Sequence, residues 1–286
     1  MDYRIERMSI EEYAHIESIR GGKLKLVGSM YWMRLRPFFY RPLLPFEVLD
    51  VGSFVPPCRL FGGYQHAVCN EHEANSTINY RVFNETNAYS INVLKSDFRR
   101  LVRFAAKRFV IKRIVEPDEL MDQGYKAYMA FYDRTRYDYL SERTQEQIFA
   151  KWVKSLFLYD KTIVLGGYAE GGLKAVGVCY WIRDVLLYST FFADTPSLKQ
   201  HVCDLMLHTV RELAARQNGI HRILAGIYGG GIGPDTYYVL RGCKIERMPA
   251  RYVFNRLTVL LLKALLPAQF RKLTGKFSVA PGIPVT

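Results

Sequence analysis

Hydrophobic positions along this chain switch repeatedly between a helical and a strand-like period, and the switches outline its elements. Helical spacing predicts a short helix over Ile10–Ile19. Residues 21–70 are rich in Pro, Gly and aromatic side chains, as in Arg36-Pro37-Phe38-Phe39-Tyr40-Arg41-Pro42. Such a stretch predicts irregular turns on an apolar face. β-branched or aromatic runs at 46–54, 77–83 and 89–94 predict strands.

The pattern is sharpest between Ser96 and Arg113. Arg99, Arg103 and Lys107 fall four apart on one helical face, opposite a core-facing side of Leu101, Val102, Phe104 and Ala105. Ser96 is the expected N-cap, with Asp97 in the first turn where the helix dipole favours an anion. A basic strand continues to Arg113. Taken alone, this charged face is an ordinary solvated one.

Helices are expected next over 120–135, with Tyr125, Tyr128, Phe131 and Tyr132 at core spacing, and over 145–158, with Ile148, Trp152 and Leu156 on one face. The period then becomes two. Three strands are predicted at 162–168, 173–182 and 185–192, the first two joined by the hairpin signal Glu170-Gly171-Gly172. A long helix over 198–217 stops at Asn218-Gly219. A buried strand at 223–227, a glycine loop at 229–233, a short helix at 234–240 and a strand at 245–255 complete the order. This is an α+β layout, a mixed sheet flanked by helices, rather than a regular βαβ succession.

Charge narrows the partners. Forty Lys and Arg against 27 Asp and Glu give a net +13 over 286 residues, which favours nucleic acid, acidic membrane surfaces or phosphorylated partners. Five scattered cysteines without a CxxC pair exclude a disulfide framework and point to a reducing compartment. His201 and His208 lie seven apart, outside the i, i+4 metal pattern, so no metal is expected. Met1-Asp2-Tyr3-Arg4-Ile5-Glu6 has no apolar signal core, and a cytoplasmic location is expected. The run 257–268 (LTVLLLKALLPA) is broken by Lys263 and Pro267 and falls short of the roughly 20 residues of a membrane span. It is expected to dock on its own domain, with peripheral membrane contact through neighbouring basic residues as the other reading.

The ordered set of elements from about Tyr89 to Arg256 resembles the GNAT acyltransferase superfamily, in particular its FemAB-like branch. The resemblance rests on the Arg99-Arg100-x-x-Arg103-x-x-x-Lys107 run, the aromatic helix from Glu119-Leu120 to Arg134, and the hairpin Val164-Leu165-Gly166-Gly167-Tyr168 with Ala175-Val176-Gly177-Val178 on its return strand. It ends on Tyr238-Val239-Leu240-Arg241-Gly242-Cys243-Lys244, similar to a Tyr-x-x-x-Gly-Phe signature except that Cys243 replaces the aromatic. The resemblance implies a degenerate GNAT-like half over 1–95, the acyltransferase domain over 96–256 and a hydrophobic-basic helix and tail over 257–286.

It also implies an N-acyltransferase forming an amide on an amine acceptor, with no cofactor beyond its donor substrate. Enzymes of this superfamily that use acyl-CoA hold its pyrophosphate on a glycine-rich loop at a helix N-terminus. The matching segment here, Asp194 to Val202, has no glycine, leaving Lys199 as its cation. Aminoacyl-tRNA, the usual FemAB-like donor, suits the +13 charge, with Arg99, Arg103 and Lys107 as its surface. Tyr238 stands where the resemblance places the acid for the leaving group, and a phenol with a pKa near 10 keeps its proton at neutral pH. Tyr228, Gly229, Gly230 and Gly231 follow a buried strand and are the expected substrate cleft. No base stands out. The other class of reading is a catalytically silent module that binds nucleic acid or an acidic membrane surface.

Overall fold

The computed structural model describes residues 5–50, 52–58, 62–136, 141–228, 233–254 and 256–274. They form two compact units, one from residues up to Arg20 and Val82–Gly226, the other from Gly21–Arg81 and the residues after Gly226.

In the first unit the strand order is Arg222–Ile227, Val185–Ala193, Gly172–Ile182, Ile163–Ala169, Val110–Arg113. The first pair is parallel and the others antiparallel. The hairpin expected at Glu170 turns through Gly171 (φ +81°) and Gly172 (φ +116°), backbone conformations that a side chain resists. Helix Ser96–Ala106 packs on Val202–Ala215, Ile10–Ile19 on Glu146–Leu156, and Tyr125–Thr135 on strand Val185–Ala193. Phe149 centres the core, its ring 5.3–5.4 Å from Tyr125, Tyr128 and Trp152. Ile10–Ile19 begins at a full capping box, in which the Glu12 N–H donates to Ser9 Oγ and the Ser9 N–H to Glu12 Oε2.

In the second unit the order is Leu24–Val27, Met30–Arg36, Phe39–Pro42, Gly63–Ala67, Lys244–Phe254, Ser76–Phe83. Residues 21–70 therefore contribute four strands to the sheet, where irregular turns were expected. Their prolines sit where strands tolerate them: Pro37 lies in the turn before Phe38 (φ +60°) and Pro42 closes a strand. Conversely, 46–54 and 89–94 are not strands. The first holds only the isolated bridge Val48↔Ala67, and the second is a pair of short turns about Thr86–Ala88 and Ile91–Val93.

The expected helix over 198–217 is two helices, Thr195–Lys199 and Val202–Ala215, broken at His201 with φ +65°. At the C-terminus, helix Arg256–Leu265 leads through Leu266 into Pro267–Thr274, whose Phe270 ring meets Tyr252 at 6.0 Å. Among the described residues no helix is long and apolar enough to cross a membrane, and no cluster of His, Cys, Asp or Glu is arranged to hold a metal.

Candidate functional site

The basic helix Ser96–Ala106 keeps its predicted polarity, with corrections at both ends. Val102 and Ala105 are buried, Arg99 is half-buried, and Arg103 and Lys107 are exposed. Lys95, not Ser96, occupies the N-cap, and no side chain caps that end. Phe104 does not join the core. It is 38% exposed, with the Arg108 guanidinium 3.6 Å above its ring and His201 edge-on at 5.9 Å. The Phe104–His201 contact joins the basic helix to the segment that carries Lys199, which is itself exposed. Arg103, Lys107, Arg108 and Lys199 thus belong to neighbouring elements around one exposed aromatic ring.

Two helix N-termini lie in the segment from Asp194 to Val202, and the first N–H groups of each lack partners within the helix, as a phosphate site requires. Both already hold carboxylates. Asp194 caps Thr195–Lys199, its Oδ1 accepting the Ser197 N–H at 2.8 Å, and Pro196 removes a further donor. Asp204 sits in the first turn of Val202–Ala215, buried, with Oδ2 3.4 Å from His201 Nδ1. A phosphate approaching either end meets a fixed negative charge. That disfavours a pyrophosphate cradle more strongly than the missing glycine alone.

The sheet of this unit contains an opening. Strands Val185–Ala193 and Arg222–Ile227 pair only at Val185–Arg222, Leu186–Ile223 and Leu187–Leu224. Beyond Leu187 their ladder ends, although both strands continue. Just past it, the register of Val185–Ala193 against its other neighbour slips between Val178 and Cys179, so Ser189 is bulged out.

The second unit holds Tyr228 and Tyr238. Tyr228 is buried, and its N–H donates to the Asn79 carbonyl at 2.8 Å. Gly229, Gly230 and Gly231 lie outside the described residues. Tyr238 is half-buried on helix Gly233–Leu240, 5.7 Å from the Arg81 guanidinium, while Tyr237 stacks under Arg241 at 3.7 Å. Arg81 Nε donates to Oδ1 of Asp235, a carboxylate with no solvent exposure. Asp235 Oδ2 and both polar atoms of the buried Asn79 amide have no hydrogen-bond partner among the described residues. Asn79 and Arg81 alternate onto one face of strand Ser76–Phe83.

No family model and no curated protein matches the sequence. Solved structures do match the fold. The C-terminal DUF2156 domain of a putative lysylphosphatidylglycerol synthetase from Agrobacterium fabrum superposes with a TM-score of 0.59 at 10% identity, covering 95% of this chain and 94% of that one. L-PGS from Bacillus licheniformis gives 0.55 at 9% identity, over 96% and 99%. A conserved protein of unknown function from Bacteroides thetaiotaomicron VPI-5482 gives 0.52 at 10%, over 80% and 84%. The chain shares its fold with these three proteins.

Sequence reasoning picked out Tyr238 and the basic helix but missed Arg81, Asn79 and the partners of Asp235. No local pattern links residues 154 positions apart. The Asp194 cap was legible, since an Asp ahead of a Pro and three before the bonded N–H is an N-terminal signature.

Proposed function

We propose that this protein is a transferase that moves an aminoacyl group from a charged tRNA to an amine. The filled N-terminus of Thr195–Lys199 carries the choice of donor. With Asp194 on that end, a CoA pyrophosphate loses the usual backbone cradle, whereas the exposed Arg103, Lys107 and Lys199 suit a longer polyanion. The fold adds support, being like that of the C-terminal domain of a putative lysylphosphatidylglycerol synthetase.

In this reading the amine attacks the ester carbonyl, a C–N bond forms and the C–O bond to the ribose breaks. Tyr238 gives its proton to the departing ribose oxygen, and the attacking amine loses one to solvent or a base. Asp235 Oδ2 and the Asn79 amide, buried without partners among the described residues, are suited to a ligand that brings N–H groups for the two oxygens and an acceptor for Asn79 Nδ2.

The test is transfer of a radiolabelled aminoacyl group from tRNA to a panel of amines, paired with binding across a salt series. Amide product, together with tRNA affinity falling steeply toward physiological salt, is the expected result. Tight acetyl-CoA binding by calorimetry, with salt-insensitive or absent tRNA binding, overturns the choice of donor.

A further inference from the structure

The expectation that the C-terminal helix docks on its own domain holds for one side only. On helix Arg256–Leu265, Val259 and Leu262 are half-buried, and Phe270 of the following helix rests against Tyr252. Leu260, Leu261, Ala264 and Leu265 follow the i, i+3/i+4 spacing that puts them on one face, and all face solvent. The three leucines are 65%, 50% and 71% exposed, and Leu266 adds a further 44%. Single exposed leucines need no explanation, but a contiguous stripe of them marks a surface that something covers.

We infer that this stripe lies in the interface of an anionic lipid bilayer. Charge selects the occupant. Lys263 borders the stripe beside Leu260 and Ala264, Arg271 is exposed on the next helix, and the chain carries +13 overall. Apolar side chains flanked by cations on a helix too short to span a membrane match in-plane binding, leucines among acyl chains and cations among anionic headgroups. A partner protein would need a matching apolar groove ringed by acids. A bilayer offers both features without shape specificity. The inference stands apart from the transfer reading, since the helix binds lipid whether or not the protein transfers anything.

The experiment is co-sedimentation of the full chain with vesicles of phosphatidylcholine alone and of equal parts phosphatidylcholine and phosphatidylglycerol. The protein is expected in the pellet with the anionic vesicles and largely in the supernatant with neutral ones. Leu260→Ser, Leu261→Ser and Leu265→Ser combined should weaken binding roughly a hundredfold while circular dichroism stays unchanged. Lys263→Glu with Arg271→Glu should weaken it roughly tenfold and flatten its salt dependence. No binding by the native chain overturns the proposal, as does full binding by the leucine variant. A dimer that the leucine variant dissolves, with no vesicle binding, assigns the stripe to a second copy instead. Absence of both equally overturns it.

Discussion

Asp194 Oδ1 accepts the backbone N–H of Ser197 at 2.8 Å, and this one bond closes a helix end to phosphate. Replacing Asp194 with Ala removes the cap while leaving the fold, so stability should fall by about 1 kcal/mol. Urea denaturation reads the loss. An unchanged midpoint would mean that Arg134, which donates to Thr195 Oγ1 at 3.0 Å, holds this turn alone.

Neutralising the basic surface should act on binding and not on folding, because Arg103 and Lys107 are exposed. Arg103→Gln with Lys107→Gln is expected to weaken tRNA binding and to reduce the log–log salt slope by roughly 1–2. Filter binding at several salt concentrations checks this. A slope equal to that of the native chain returns the helix to an ordinary solvated face.

Tyr238→Phe removes one hydroxyl and keeps the ring that faces Arg81. If the phenol protonates the leaving oxygen, kcat should drop on the order of a hundredfold with tRNA affinity retained. Native turnover by the variant would remove Tyr238 from the mechanism.

Arg81→Met strands the buried Asp235 carboxylate without its cation. Breaking one partner of such a pair costs about 3 kcal/mol, and adding Asp235→Leu should recover most of it. The double-variant comparison by thermal or chemical denaturation separates the stranded charge from simple loss of packing.

Stability should also depend on pH through two imidazoles. Burial holds both His66 and His208 below the ordinary value of 6.5, with His208 bonded to the Tyr89 hydroxyl at 2.9 Å. The unfolded chain therefore takes up protons near 6.5 that the folded chain refuses until lower pH. The stability these groups contribute is complete above that value and is lost as pH falls through their folded values. His208→Gln should flatten the decline in a urea series from slightly alkaline to mildly acidic pH. The same decline in the variant would place its source elsewhere.

Much of the first unit was legible because its contacts repeat at short range. The period-two runs after Thr162 become three paired strands, and Glu170-Gly171-Gly172 turns where only glycine is at ease. Residues 21–70 misled because their prolines and glycines were read as irregular turns, although Pro42 sits in register opposite Trp32 at a strand end. Phe104 misled because helical spacing assigns a face without saying whether anything covers it.

The sequence by itself determined the alternation of elements, the +13 charge and the helical face shared by Arg99, Arg103 and Lys107. Those follow from local periodicity and composition, which need no knowledge of distant contacts. Only the tertiary structure decided that 21–81 and the residues after 226 form one unit, and that Arg81 reaches Asp235. It also decided that Asp194 and Asp204 occupy the helix ends and that Leu260, Leu261 and Leu265 face water. Burial and long-range pairing are set by the packing of the whole chain, and one residue's neighbours in sequence carry no record of them.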